Sequence, residues 1–201
     1  MRTYAFLSML RFDIIAGHEA PPTYKQSEKN RQANQKKTGK QMKEKLDKAW
    51  AEGPDHYIRA LTDHYWDVVG GELTAETMDR LNADQHTLLA YRILMDEVSE
   101  GGFIQLIQNG FGQYVLGGPF PMVMKKIWGF PEFGKFMYEV RKEYNRNREK
   151  LEQDLDEEQF MALYEEQDAM NNYGDDFLDD WEETMTPAIA EYVKENEERF
   201  I

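Results

Sequence analysis

Six carboxylates crowd into nine residues near the C-terminus: Asp175, Asp176, Asp179, Asp180, Glu182 and Glu183. Side chains of this type and spacing can do three kinds of chemistry. They can hold a hard cation, trade protons as an acid–base pair, or present a row of fixed negative charge to a basic partner. A cation loop would need D-x-[DN]-x-[DN]-G with a closing Glu at the twelfth position, and none is present. An acid–base pair needs one member in an apolar pocket to separate the two pKa values. Here the acids interleave with Phe177, Leu178, Trp181 and Met185. On a helix, 175, 179, 182 and 183 gather near one side with 176 and 180 alongside, while the apolar four share the other. That pattern predicts a solvated row of charge.

The row extends backwards. A preceding helix is expected to add Asp154, Glu157, Glu158, Glu165 and Asp168, with 154, 158 and 165 close to one stripe. Like charges at i, i+4 cost a helix roughly 0.2–0.5 kcal/mol per pair, and residues one turn apart sit about 5–6 Å from each other. From Glu149 to the end there are 19 Asp/Glu against three basic residues, Lys150, Lys194 and Arg199. The first 50 residues carry 11 Lys/Arg against 5 Asp/Glu, in a chain whose net charge is −14. Such a division suits a charged macromolecular partner better than a small neutral substrate, and it steers a basic one over distance. The plain alternative is a solvated surface that keeps the protein soluble. Nucleic acid and anionic lipid, being polyanions, are disfavoured as direct ligands.

The elements that must carry these acids read as helices. Residues 1–20 form a short apolar element of unclear period, broken by Pro21-Pro22. A basic arm follows over 25–48, with Lys25, Lys29, Arg31, Lys36, Lys37, Lys40, Lys43, Lys45 and Lys48. It reads as a linker passing into a solvated helix, able to lie across an acidic face. The second region, 51–201, opens near Gly53-Pro54, where Pro54 suits a first helical turn. Ile58, Leu61, Tyr65, Trp66 and Val69 mark one apolar face that Gly70-Gly71 stops. Asn82 and Gln85 have capping-box spacing ahead of Leu88–Val98, as do Asp156 and Gln159 ahead of Phe160. Gly101-Gly102 ends one helix and Phe103–Gln108 reads as a short one, followed by a loop over 117–121. Pro131 starts a long helix with Phe133, Phe136, Met137, Val140 and Tyr144 on one side, and Thr186-Pro187 is expected to cap the last. The expected fold is all-α: a single multi-helix domain behind a basic N-terminal arm.

One string is more specific than the rest. Glu97, Gly101, Gly102, Phe103, Gln105, Asn109 and Gly112 follow one another in the order of a helix–Gly-Gly-Phe–helix signature. With the closing Ile189–Val193 and Phe200, this resembles a bacterial family long catalogued as a domain of unknown function and named from the DMP-type DNA-mimic proteins. The resemblance covers roughly residues 73–201. It implies a non-catalytic acidic protein whose carboxylates imitate DNA phosphates and occupy the DNA-binding surface of a transcriptional regulator. The motif itself is structural on its face. Gly101-Gly102 can take positive φ, Phe103 would plug the core, and Gln105 and Asn109 could tie down loop carbonyls and amides.

Enzyme readings find little support. The chain has no cysteine, no G-x-S-x-G elbow, no P-loop and no Rossmann fingerprint. Only Glu97 and Glu100, beside the Gly-Gly turn, would be tested for a hydrolase. His56 and His64 lack the H-E-x-x-H spacing, and surface or capping roles are expected for them, as for His18 and His86. No signal peptide or membrane span is expected, which makes the cytoplasm the default location. The expected partner is a basic protein, with no cofactor, no metal and no catalytic residues, and a homodimer left open. A protein that neutralises a basic toxin or nuclease, in the manner of an immunity protein or antitoxin, is the competing interaction reading.

Overall fold

The computed structural model describes residue 29 and residues 39–201, and every regular element among them is helical. The apolar element expected at 1–20 and most of the basic arm lie outside the described residues. The elements are α1 (39–52), α2 (Pro54–Val69), α3 (Ala75–Met78), α4 (Ala83–Gln108), a π-turn (Gln113–Gly117), α5 (Phe120–Lys126) and α6 (Pro131–Leu151). α7 (Glu157–Glu166), α8 (Asp168–Asp180), α9 (Glu182–Glu195) and a 3-10 turn (Glu197–Arg199) complete the chain. Residues 44–201 form one compact unit. Within it Leu46 and Ala49 of α1 are buried, an i, i+3 stripe that the basic composition of the arm conceals.

α4 is the axis of the fold. Every residue from Thr87 to Leu94 is buried, because α2 packs on one side and α5, α6, α8 and the π-turn on others. Its start is fixed by the Asn82–Gln85 capping box, in which the Asn82 side chain accepts from the Gln85 backbone N–H at 3.0 Å. Its course breaks at Gly102, whose φ of 69° and ψ of −174° belong to a region reserved for glycine. α8 crosses at this break: a Cβ on buried Gly174 would lie 3.6 Å from the Gly102 Cα.

Aromatic rings bolt α8 to the axis. Phe177 packs edge-on against Phe103 at 6.1 Å and tilts against Phe133 at 6.4 Å. Trp181 covers Phe133 and Phe136 at 5.4 and 5.9 Å. Phe103, Phe133 and Phe177 are essentially inaccessible to solvent, so this cluster draws a large hydrophobic stabilisation from rings that bury roughly 150–250 Å2 each. The C-terminus is latched at the other end of α4. Tyr65 donates to the Phe200 carbonyl at 2.7 Å, Asn82 to the Arg199 carbonyl at 3.0 Å, and Trp128 stacks on Tyr192 at 4.9 Å.

Three elements differ from the sequence reading. The loop expected over 117–121 closes at Pro119 and α5 begins at Phe120, since a Pro-Phe-Pro start satisfies a first helical turn, where N–H groups have no partner anyway. Pro187 does not cap α9 but sits inside it; the helix starts at Glu182 and forgoes the one bond that the proline nitrogen cannot donate. Thr186 instead shares a 2.7 Å hydrogen bond with the Tyr91 hydroxyl. Finally, 175–185 is not one helix, because the backbone turns at Trp181 (φ −122°, ψ −31°).

Candidate acidic interaction face

Between Lys150 and Lys194 there is no Lys, Arg or His, and 15 of the intervening residues are Asp or Glu. The structure cuts this stretch into a turn and three helix segments. Asp154 lies in the turn after α6 rather than on a helix, and the Asp156–Gln159 capping box restarts the chain as α7. Gln167, buried and non-helical (φ −106°, ψ 51°), separates α7 from α8. Neither Gln167 nor Trp181 is a residue type that signals a break; of the stripe expected through 154, 158 and 165, the latter two share α7 and only Asp154 falls outside it.

That segmentation changes the electrostatics. Glu157 and Glu158 lie in the first turn of α7, Asp168 in that of α8, and Glu182 and Glu183 in that of α9. Exposed backbone N–H groups and the helix dipole favour negative charge at each of these starts. Asp175, Asp176, Asp179 and Asp180 have the opposite setting. They fill the last two turns of α8, where the dipole opposes them, and they form the like-charged i, i+4 pairs 175/179 and 176/180. Their face is opposite the buried Met170, Gly174 and Phe177.

Ten of the eleven acids are exposed, and Glu182 is half-buried, accepting a 2.9 Å hydrogen bond from the Ser99 hydroxyl. The three cations of the C-terminal region are spent elsewhere. Lys150 pairs with Glu166, Lys194 with Asp47 and Glu197, and Arg199 with Asp84 at 2.7 Å. Among the described residues, none of the eleven carboxylates is in an ion pair. Apart from Glu182, the acids of the same stretch whose side chains have partners fall outside the row: Glu152 receives Arg148 and Tyr144, Glu166 receives Lys150, and Asp156 caps α7. Leu178, expected on the apolar side, is 37% exposed between the aspartates of α8, and Met161 of α7 is 56% exposed. Sequence periodicity could not place them because the helix axis changes at 167 and 181. No three His, Asp or Glu side chains among the described residues converge on a common metal position.

The Gly-Gly-Phe residues assemble behind this face. Glu97 accepts from the Asn109 amide at 2.7 Å and the Gln105 amide at 3.3 Å, and Gln105 also reaches Glu100 at 3.4 Å. The two amides thus bind a carboxylate, where the sequence suggested loop backbone. Tyr164 of α7 donates to the Gly101 carbonyl, and Asn171 of α8 donates to the Tyr164 carbonyl at 2.6 Å. Gly112 admits the close approach of Ile107 and Tyr144, both of which would stand 3.2 Å from a Cβ there. The motif therefore holds α7 and α8, the carriers of most of the acids, against α4. His56 is exposed, while His86 lies partly buried between the Tyr114 hydroxyl (2.8 Å) and the Met78 carbonyl (2.9 Å), well away from α7 and α8.

No helix of the described residues is long and apolar enough to cross a membrane. A protein similar to this chain is the DNA mimic protein DMP19 of Neisseria meningitidis serogroup B, 29% identical over 133 residues that span 64% of this chain and 80% of that protein. The stretch that holds the α4 break, the Gly-Gly-Phe residues and all eleven acids matches a family described as DMP19-like protein over residues 79–196, and the chain belongs to that family.

Proposed function

We propose that this protein is a DNA mimic that acts without catalysis by occupying the DNA-binding surface of a basic protein, most directly a transcriptional regulator. The observation that carries the reading is the set Asp175, Asp176, Asp179 and Asp180. Both the dipole and mutual repulsion oppose these four on α8, and no cation offsets them among the described residues. Carboxylates about 5–6 Å apart along a rigid helix form a row of negative charge comparable with a phosphate track. A surface that binds DNA gains much of its affinity from such a row, and gains it without reading bases. Family membership and the name of the Neisseria relative point the same way.

In the proposed contact, Asp154, Glu157, Glu158, Glu165, Asp168, Glu182 and Glu183 extend the row on either side of the four aspartates. Glu97, Gly101, Gly102, Phe103, Gln105, Asn109 and Gly112 keep it rigid. The test is capture of partners on the immobilised chain, elution by a salt step and identification by mass, repeated with Asp175→Asn/Asp176→Asn/Asp179→Asn/Asp180→Asn. Recovery of a DNA-binding protein by the native chain and its loss from the variant is the expected outcome. Equal recovery on both would refute the face. A co-encoded toxin in place of a regulator would replace the partner in this proposal with the toxin.

A further inference from the structure

A second site lies at the far end of α4 from the acids. The C-terminal part of α2, α3, the start of α4, the π-turn and α5 surround an apolar cleft of about 1070 Å3. Trp66, Leu81, Phe111, Phe120, Val123 and Ile127 form its walls. Close-packed interiors leave few voids larger than a water molecule, so a cleft of this size is built space, near the upper end of what small-molecule sites occupy. Ile127 is 53% exposed at its edge, so the cleft opens to solvent. Met78 and Met122, unbranched and adaptable, also line it.

The polar groups of the lining specify which ligands fit. The Met78 carbonyl can only accept, so His86 Nε2 carries the hydrogen that joins them at 2.9 Å; Nδ1 then accepts from the Tyr114 hydroxyl at 2.8 Å. With both ring nitrogens used internally, His86 has no proton to offer an anion. No Lys or Arg among the described residues lines the cleft. Among the described residues, the charged ones that line it are Glu72 and Asp79, both exposed and neither in an ion pair. Nearby Arg80 is turned away, donating to the Val68 carbonyl at 3.1 Å. The cleft thus combines an apolar, aromatic body with an entrance bearing two uncompensated carboxylates. Fatty acids, nucleotides and other anionic ligands meet no counter-charge there among the described residues.

We infer that this cleft binds an apolar small molecule carrying a protonated amine, its body between Trp66 and Phe120 and its ammonium at Glu72 and Asp79. The site is independent of the acidic row on α8 and does not rest on the reading of that row as a DNA mimic.

The test uses the full chain and three probes with one body and different heads: 6-phenylhexylamine, 6-phenylhexanol and 6-phenylhexanoate. Binding is followed at neutral pH by tryptophan fluorescence. The amine is expected to bind about three- to tenfold more tightly than the alcohol, and the carboxylate more weakly than the alcohol, as two exposed carboxylates allow. Glu72→Gln/Asp79→Asn should bring all three probes to about the alcohol's affinity while leaving the alcohol itself unchanged. Trp66→Phe should abolish the fluorescence response while ligand-observed NMR still detects the amine. Failure of all three probes to bind, or a carboxylate as tight as the amine, would overturn the inference. So would a head-group ranking that survives in the double variant, or a fluorescence response that survives Trp66→Phe.

Discussion

Two regions of this molecule hold their acids in opposite ways. Where α2 meets α4, Asp55 and Asp96 surround Arg92, whose side chain is only 7% exposed, and Arg59 joins them from the rim. The Arg92–Asp55 contact is 2.8 Å, and the Arg92–Asp96 contact closes the other fork. Asp84 likewise receives Arg199 and the Trp128 indole N–H. Among the described residues, the eleven carboxylates of the acidic row have no such ion pairs. The first region spends its charge on the fold, so that removing one member strands another in a partly buried place. In the second region five acids gain the dipole at helix starts and the four aspartates of α8 work against it, so that α8 is held chiefly by the aromatic rings on its inner side. Under the proposed function these outer acids are what the chain presents to a basic partner.

Four substitutions probe this contrast, from the largest effect to the smallest. Phe103→Ala removes the ring that anchors α8 to α4 and should cost about 3–5 kcal/mol in chemical denaturation. A loss below 1 kcal/mol would mean that the aromatic cluster does not hold the acidic helix. Arg92→Met leaves Asp55 and Asp96 without their shared cation and should cost about 2 kcal/mol by the same measurement, the scale of a lost hydrogen bond to a charged group. An unchanged midpoint would erase the distinction between the regions.

The third case sits between the two regions. Arg148, at 2.8 Å, and the Tyr144 hydroxyl hold the Glu152 carboxyl below the usual carboxylate range. Because the folded value lies beneath the unfolded one, the contribution is complete above the ordinary carboxylate range and is lost as pH falls through it towards the depressed folded value. Glu152→Gln should therefore lower stability at neutral pH by under about 1 kcal/mol and flatten this part of the acid limb. A variant with the native pH profile would rule the interaction out as a contributor.

The fourth change has the opposite sign. Converting Asp175, Asp176, Asp179 and Asp180 to Asn relieves two repulsive i, i+4 pairs and the clash with the helix dipole. Stability should rise by roughly 0.5–1 kcal/mol with the helical circular dichroism unchanged. A fall of that size would show that the aspartates are structural after all.

Much of this contrast was readable from sequence, and the unreadable part has identifiable causes. The caps at Asn82 and Asp156, the proline start of α6 and the glycine break at 101–102 are local chemistry, and they stand where residue types place them. The count of acids and their opposition to Phe177 and Trp181 were also local. The breaks at Gln167 and Trp181 were not, because tertiary packing bends the chain there with no glycine or proline to announce it. That is why Asp168, Glu182 and Glu183 proved to lie at helix starts, as Glu157 and Glu158 do behind the Asp156 cap. Contacts such as Arg92 with Asp55, 37 residues apart, and the cleft around His86 depend on how helices cross, which periodicity does not encode. The Glu97 carboxylate as the partner of Gln105 and Asn109 became visible only once the Gly102 turn folded them together.

The most direct test of the central claim is competition. The protein captured by the native chain is titrated with it in the presence of increasing duplex DNA, over a range of salt concentrations. A DNA mimic should be displaced by the duplex, should weaken steeply as salt rises, and should lose most of its affinity when the four α8 aspartates become asparagines. Simultaneous binding of duplex and chain to the captured protein, or native affinity in the asparagine variant, would contradict it.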